Sequence, residues 1–160
     1  MGRIWHYAPD GGPTLPGATQ LRWSPITESA NWDTARIIGR AMTYDAGEGT
    51  TEANYFRNSA GGLASAMLHS AALGNKSMTW LLAGLGGSSR TLRQAAEICY
   101  EHQARSAGDI LTNFVERDSR TTSSIFATAD TAFDAFKGDG AVRTTEDPQL
   151  RRARLRPWAA

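Results

Sequence analysis

The stretch from about residue 51 to residue 73 constrains this chain more than any other. Phe56, Ala60, Leu63, Met67, Leu68 and Ala71 recur there at steps of three and four, the spacing that lines one face of an α-helix. A helix is predicted over that range, closed by Gly74-Asn75 as a C-terminal cap. Gly61 and Gly62 sit inside it. Two glycines cost a helix roughly 2 kcal/mol relative to alanines, so tertiary packing has to outweigh them, and close approach by a neighbouring helix is the expected reason. The chain has 25 alanines and 16 glycines, which fits helices that meet through small residues.

The same spacing recurs on both sides. Ala35, Ile38 and Met42 predict a helix over 31–46, capped by Asn31 or Ser29 and ended by Gly47-Glu48-Gly49. Ser77 begins a short helix with Trp80, Leu81 and Leu85 that stops at Gly86-Gly87. Ser88 or Ser89 starts another, carrying Leu92, Ala95, Ala96 and Cys99 to about Ala107, with Gly108 as a break or kink. Ile110, Leu111, Phe114 and Val115 form a further apolar face. A last helix over 120–137 buries Ile125, Ala129, Ala132, Phe133 and Phe136 before Gly138-Asp139-Gly140. The expected fold is mainly α, a compact bundle of about six helices.

At the start, Ile4-Trp5-His6-Tyr7 is a β-prone run ended by Pro9-Asp10-Gly11-Gly12-Pro13. No partner strand is evident, so two readings stand equal: a strand belonging to the sheet of a larger protein, or an arm packed on the helices through Trp5 and Tyr7. Residues 21–26 are expected to be extended ahead of Pro25. The division is then an extended arm over 1–27, an all-helical domain over 28–140 and a basic tail over 141–160. In the tail, a short helix between Pro148 and Pro157 competes with disorder.

A length of 160 residues suits one domain, and 17 Lys plus Arg against 16 Asp plus Glu leaves a net charge of +1. That balance argues against a protein that coats nucleic acid over its whole surface, while leaving room for a local basic patch. A single cysteine, Cys99, and no Cys/His cluster leave nothing that ties the domain to an oxidising compartment. No run reaches the roughly 18 apolar residues of a membrane span, and residues 1–7 lack a signal-peptide core. A soluble, cytoplasmic domain without membrane contact is expected.

No catalytic, cofactor or metal site assembles from spacing. Gly74-Asn75-Lys76-Ser77 approaches the end of a phosphate-binding loop, but Asn75 stands where glycine is needed and Ser70 occupies the first glycine position, inside a helical pattern. A helix-to-helix turn is expected there instead. His6, His69 and His102 have no ligand-spaced partners, Asp130 and Asp134 read as a solvated face, and Cys99 reads as a small core residue. The hydroxyl run Ser119 to Ser124 reads as a helix cap. Arg117, Arg120, Arg151, Arg152, Arg154 and Arg156 are the candidate contacts to phosphates or to an acidic protein face, against the alternative of a solvated or disordered surface.

Four motifs, taken in order, resemble one family. Gly2-Arg3-Ile4-Trp5-His6-Tyr7, Arg22-Trp23-Ser24-Pro25, Asn31-Trp32-Asp33-Thr34-Ala35 and Tyr55-Phe56-Arg57-Asn58-Ser59-Ala60, followed by Leu68-His69-Ser70-Ala71-Ala72-Leu73-Gly74 and the helix from Ser123 to Phe136, are similar to the all-helical insert of actinobacterial TraG/TraD-class coupling proteins of type IV secretion. The resemblance implies a hexameric parent, a RecA-like ATPase anchored at the cytoplasmic face of the bacterial plasma membrane. ATP and magnesium would be held by the parent's other segments, with no cofactor in this fragment. It also implies that residues 2–8 form a strand of the parent's sheet. The partners would be a relaxase or relaxosome accessory protein, a secreted protein cargo, or DNA. The basic 146–157 tail departs from what the family explains. A stand-alone helical scaffold or regulatory protein that binds a protein partner is the second reading. A third, an enzyme, lacks residues at any spacing that acid–base or nucleophilic chemistry needs.

Overall fold

The computed structural model describes residues 4–46, 53–117 and 119–148, without the side chains of Ala53, Ser119 and Thr121. Among them lie two short strands, β1 (Trp5–Tyr7) and β2 (Thr19–Leu21), and eight α-helices. The helices are α1 (Pro25–Glu28), α2 (Trp32–Met42), α3 (Ala53–Leu73), α4 (Met78–Leu85), α5 (Ser89–Glu101), α6 (Arg105–Glu116), α7 (Ser119–Ala132) and α8 (Asp139–Thr144), with a 3-10 turn at Asp134–Phe136. The mainly helical expectation holds.

The 21-residue α3 is the centre of the bundle. Sequence spacing predicts one buried face, yet residues 63–71 are buried without interruption, because α1, α2, α4, α5, α6 and α7 all pack against this helix. Its small residues make that possible. A Cβ on Gly61 would lie 3.1 Å from Oγ1 of Thr43, the residue that caps α2, so one glycine of the pair has the packing reason expected of it, whereas Gly62 faces open space. Further along, Gly39 of α2 lies directly on Ser65, whose backbone nitrogen is 2.6 Å from where a Cβ would stand. Gly84 of α4 makes a comparable close contact with the Met67 side chain. Two hydroxyls inside the bundle are paired with backbone carbonyls: Ser65 Oγ donates to Gly61 O at 2.6 Å and Ser70 Oγ to Ala95 O at 3.0 Å.

Local capping is as the residue types dictate. Asn31 Oδ1 accepts from Thr34 N, Ser77 Oγ from Trp80 N and Ser88 Oγ from Thr91 N. Pro25 opens α1 behind the extended cap Ser24, a short helix that the expected extended run over 21–26 does not include. Gly47-Glu48-Gly49 lies outside the described residues. The predicted helix through Ala107 stops at Glu101, and α6 runs through Gly108 without a break. Here Gln103 takes a left-handed conformation (φ 59°) and Ala104 N donates to Cys99 O, closing α5. Gly108 is needed for a different reason: a Cβ there would lie 2.8 Å from the Tyr100 ring. Likewise the helix predicted to Lys137 ends at Ala132, and Gly138 precedes α8 instead of a tail. Residues 149–160 lie outside the described residues.

β1 has a partner within the chain, contrary to the expectation of a lone strand. It pairs with β2 in parallel, Trp5 opposite Thr19 and Tyr7 opposite Leu21. Two turns reverse the intervening chain, with Gly11 and Gly17 both at φ 76°. The arm is also tied to the far end of the described chain. Gly11 and Gly140 meet backbone to backbone, a Cβ on Gly11 standing 2.7 Å from Gly140 Cα, and Arg22 Nη1 donates to Glu146 O at 3.5 Å. No described helix is long and apolar enough to cross a membrane.

The two kinds of glycine make opposite predictions. Gly39→Val should destabilise the protein by about 1 to 3 kcal/mol through overpacking against Ser65. Gly62→Ala should stabilise it by up to about 1 kcal/mol. Urea unfolding of the two variants checks both signs.

Candidate functional site

The candidate arginines separate in the structure. Arg117 follows the last turn of α6, exposed, with its guanidinium 5.6 Å from the centre of the Phe114 ring. It lines an open cavity of about 510 Å³ formed where α6 hands over to α7 beside the start of α5. Phe114 and Phe126, 5.8 Å apart and tilted, supply aromatic surface, and Gly87 brings the α4–α5 turn against Phe126, where a Cβ would lie 3.2 Å from the ring. Ser89 and Ser123 add hydroxyls, and Asp130 adds a carboxylate. That carboxylate is held by Lys137 at 2.7 Å, which also reaches Asp134 at 3.1 Å. These two bonds raise the Lys137 pKa above its ordinary value.

A groove with aromatic surface, hydroxyls, one arginine and one carboxylate offers contacts of both signs to a polar and apolar chain. Arg120 stands exposed on the first turn of α7, and its carbonyl accepts from Ser123 Oγ; it does not line the groove. Arg151, Arg152, Arg154 and Arg156 lie outside the described residues.

The phosphate-loop resemblance resolves into a turn. Asn75 is left-handed (φ 48°), Lys76 N donates to Ala71 O at 2.8 Å, and Ser77 caps α4. Lys76 points over the Trp80 ring at 5.8 Å and shares its cavity with Glu146 and Asp147, acidic neighbours that a phosphate cradle would not carry. Cys99 is fully buried. Burial pushes its thiol up to about 11, against a smaller opposing contribution from Ser70. Among the described residues no group of His, Cys, Asp and Glu is placed to hold a metal ion.

The histidines differ among themselves. His6 Nδ1 accepts from Leu15 N at 3.4 Å, steadying the arm, and His102 Nδ1 donates to Ile98 O at 2.9 Å in the last turn of α5. His69 is 5% exposed and donates from Nδ1 to Ser29 O at 2.9 Å, with its ring 5.4 Å from Trp32.

Sequence spacing left one basic and aromatic stripe unremarked. Arg36 and Arg40 of α2 and Tyr44 just past its end follow one another at steps of four, all exposed. Arg57 of α3 lies over Tyr44 at 5.6 Å, and its Nε is enclosed without an acceptor among the described residues. The four-residue step was readable in the sequence; the arrival of Arg57 was not.

No protein-family model, curated protein or solved structure matches this chain.

Cys99 gives a direct check on the core. With a pKa near 11, the thiolate fraction at pH 8 is on the order of one in a thousand, and burial blocks access as well. The native protein should leave a disulfide reagent unreacted at pH 8 over minutes, while protein in concentrated urea reacts within the mixing time. A fast native reaction would mean that the α3–α5 interface opens readily.

Proposed function

We propose that this chain is the helical recognition domain of a TraG/TraD-class coupling ATPase of type IV secretion, selecting a relaxase, a relaxosome accessory protein, DNA or a secreted protein for transfer, with no catalytic step of its own. The motif order described above motivates the family. The observation that carries the placement is the β1–β2 pair. Two three-residue parallel strands are too few for a stable sheet in water, and parallel sheets occur almost only where both faces are covered. Ile4, Trp5 and Tyr7 are nevertheless exposed here, Trp5 to 49%. An adjoining sheet in a parent ATPase would cover them and continue the hydrogen-bond ladder.

The groove beside Arg117 supports recognition. Its aromatic surface can take an apolar side chain while Arg117, Ser89 and Ser123 meet polar groups of a bound segment. The turn at Gly74–Ser77 is a helix cap with acidic neighbours. In this reading ATP hydrolysis belongs to the parent's other segments, and no step of it is assigned to this chain.

The test is retention of relaxosome components on the immobilised full chain. Relaxase or accessory protein should be retained, and Arg117→Glu should weaken retention about tenfold, equivalent to roughly 1.4 kcal/mol, with an unchanged circular dichroism spectrum. Retention of neither relaxase, accessory protein nor DNA would remove the reading.

A further inference from the structure

The start of α6 carries a second site, distinct from the groove at its other end. An open pocket of about 310 Å³ is lined by Trp32, His69, Gln103, Arg105, Ser106 and Ala107, among others. We propose that it binds a small oxyanion, a phosphate or a carboxylate group. This inference is independent of the coupling-protein reading.

Two separate observations point to such a ligand. The first is the helix end. α6 is 12 residues long, and Ala104 at its cap position has no side-chain oxygen to offer. The amides of Arg105, Ser106 and Ala107 have no acceptor among the described residues, the nearest closed bond being Gly108 N to Ala104 O at 3.1 Å. Free first-turn amides and the positive end of the helix dipole favour an anion.

The second is His69, which comes from a different helix. With Nδ1 committed as donor to Ser29 O, Nε2 is the ring nitrogen left over. It has no partner among the described residues, and it is not an enclosed unsatisfied atom, so on a residue only 5% exposed it opens on the pocket that His69 lines. The contact with Trp32 holds the ring on one side. A buried imidazole with one edge bonded and the other presented to a cavity is a directed polar group awaiting a partner.

The remaining lining is consistent in charge. Arg105 forms no ion pair among the described residues, and Ser106 and Gln103 add a hydroxyl and a carboxamide. No carboxylate lines the pocket. A bound phosphate would accept from the first-turn amides and Arg105 and, through a protonated oxygen, donate to neutral Nε2. A bound carboxylate would accept from the same donors and from Nε2 when the ring carries a second proton. Both belong to one class of ligand, and the pocket holds either with water to spare.

The experiment follows backbone amide and histidine ring resonances of the full chain during titration with inorganic phosphate and, separately, with acetate. Saturable shifts are expected at Arg105, Ser106 and Ala107 and at the His69 ring, with a dissociation constant on the order of 1 mM. Arg105→Ala should weaken binding about tenfold. Ala104→Asp, which sets a carboxylate beside the same amides, should abolish it and raise the melting temperature. These two exposed or helix-end changes keep the test valid should His69→Gln fail to fold. Saturation by phosphate alone identifies a phosphate group as the ligand, and saturation by acetate alone identifies a carboxylate, each upholding the site. Absence of saturable shifts with both anions, or shifts that survive unchanged in Arg105→Ala and Ala104→Asp, would overturn it.

Discussion

The burial of α3 on every side is the constraint on which the rest of the structure depends. A helix enclosed by six others cannot present large side chains all round, because interiors are packed at crystal-like density and tolerate neither voids nor overlap. Ala60, Ala64, Ala66 and Ala71 accordingly share the buried stretch with Leu63, Met67 and Leu68. Neighbouring helices complete the fit with glycines of their own, Gly39 on Ser65 and Gly84 on Met67. Enclosure also demands partners for the polar residues, since a buried unpaired group costs about 1 to 3 kcal/mol. Ser65, His69 and Ser70 each find a backbone carbonyl.

That arrangement positions chemistry as well as mass. The bond from His69 to Ser29 reaches across from the central helix to the residue that ends α1, and it fixes which edge of the imidazole is left for the pocket at the start of α6. A second tie joins the arm to the last described helix: Gly11 against Gly140, and Arg22 to Glu146. The two-stranded sheet is thereby held on the bundle by one glycine–glycine backbone contact and one arginine side chain.

Charge contributes to surfaces more than to stability. Ion pairs such as Arg36 with Asp33 and Lys137 with Asp130 and Asp134 are solvent-exposed, and solvent screening leaves such pairs little effect on stability. Arg57, Lys76 and Arg117 instead lie over Tyr44, Trp80 and Phe114. A cation over a ring buries its stem while its charge stays at the surface, which suits a protein whose proposed work is contact with a partner.

What was legible in the sequence is what local windows decide. Periodicity located the long helices and assigned Leu63, Leu92, Leu111, Ile125 and Phe133 to the core; residue type named the cap Ser77 and narrowed two others to Asn31 or Ser29 and Ser88 or Ser89, of which the structure uses Asn31 and Ser88; and Asn75 in place of glycine separated the Gly74–Ser77 turn from a phosphate loop. Each of these depends on residues three or four apart, whose interaction the helix geometry itself sets. Gly108 shows the limit. Its sequence context reads as a break, but the Tyr100 ring crossing it makes it a packing glycine within α6. Only the tertiary structure could pair Trp5–Tyr7 with Thr19–Leu21, bury α3 on all sides, set Phe126 beside Phe114 near Arg117, and bring Trp32, His69 and Arg105 to one pocket. Those meetings join residues far apart in the chain, and they are decided by how the faces of several helices fit together, which no single segment encodes.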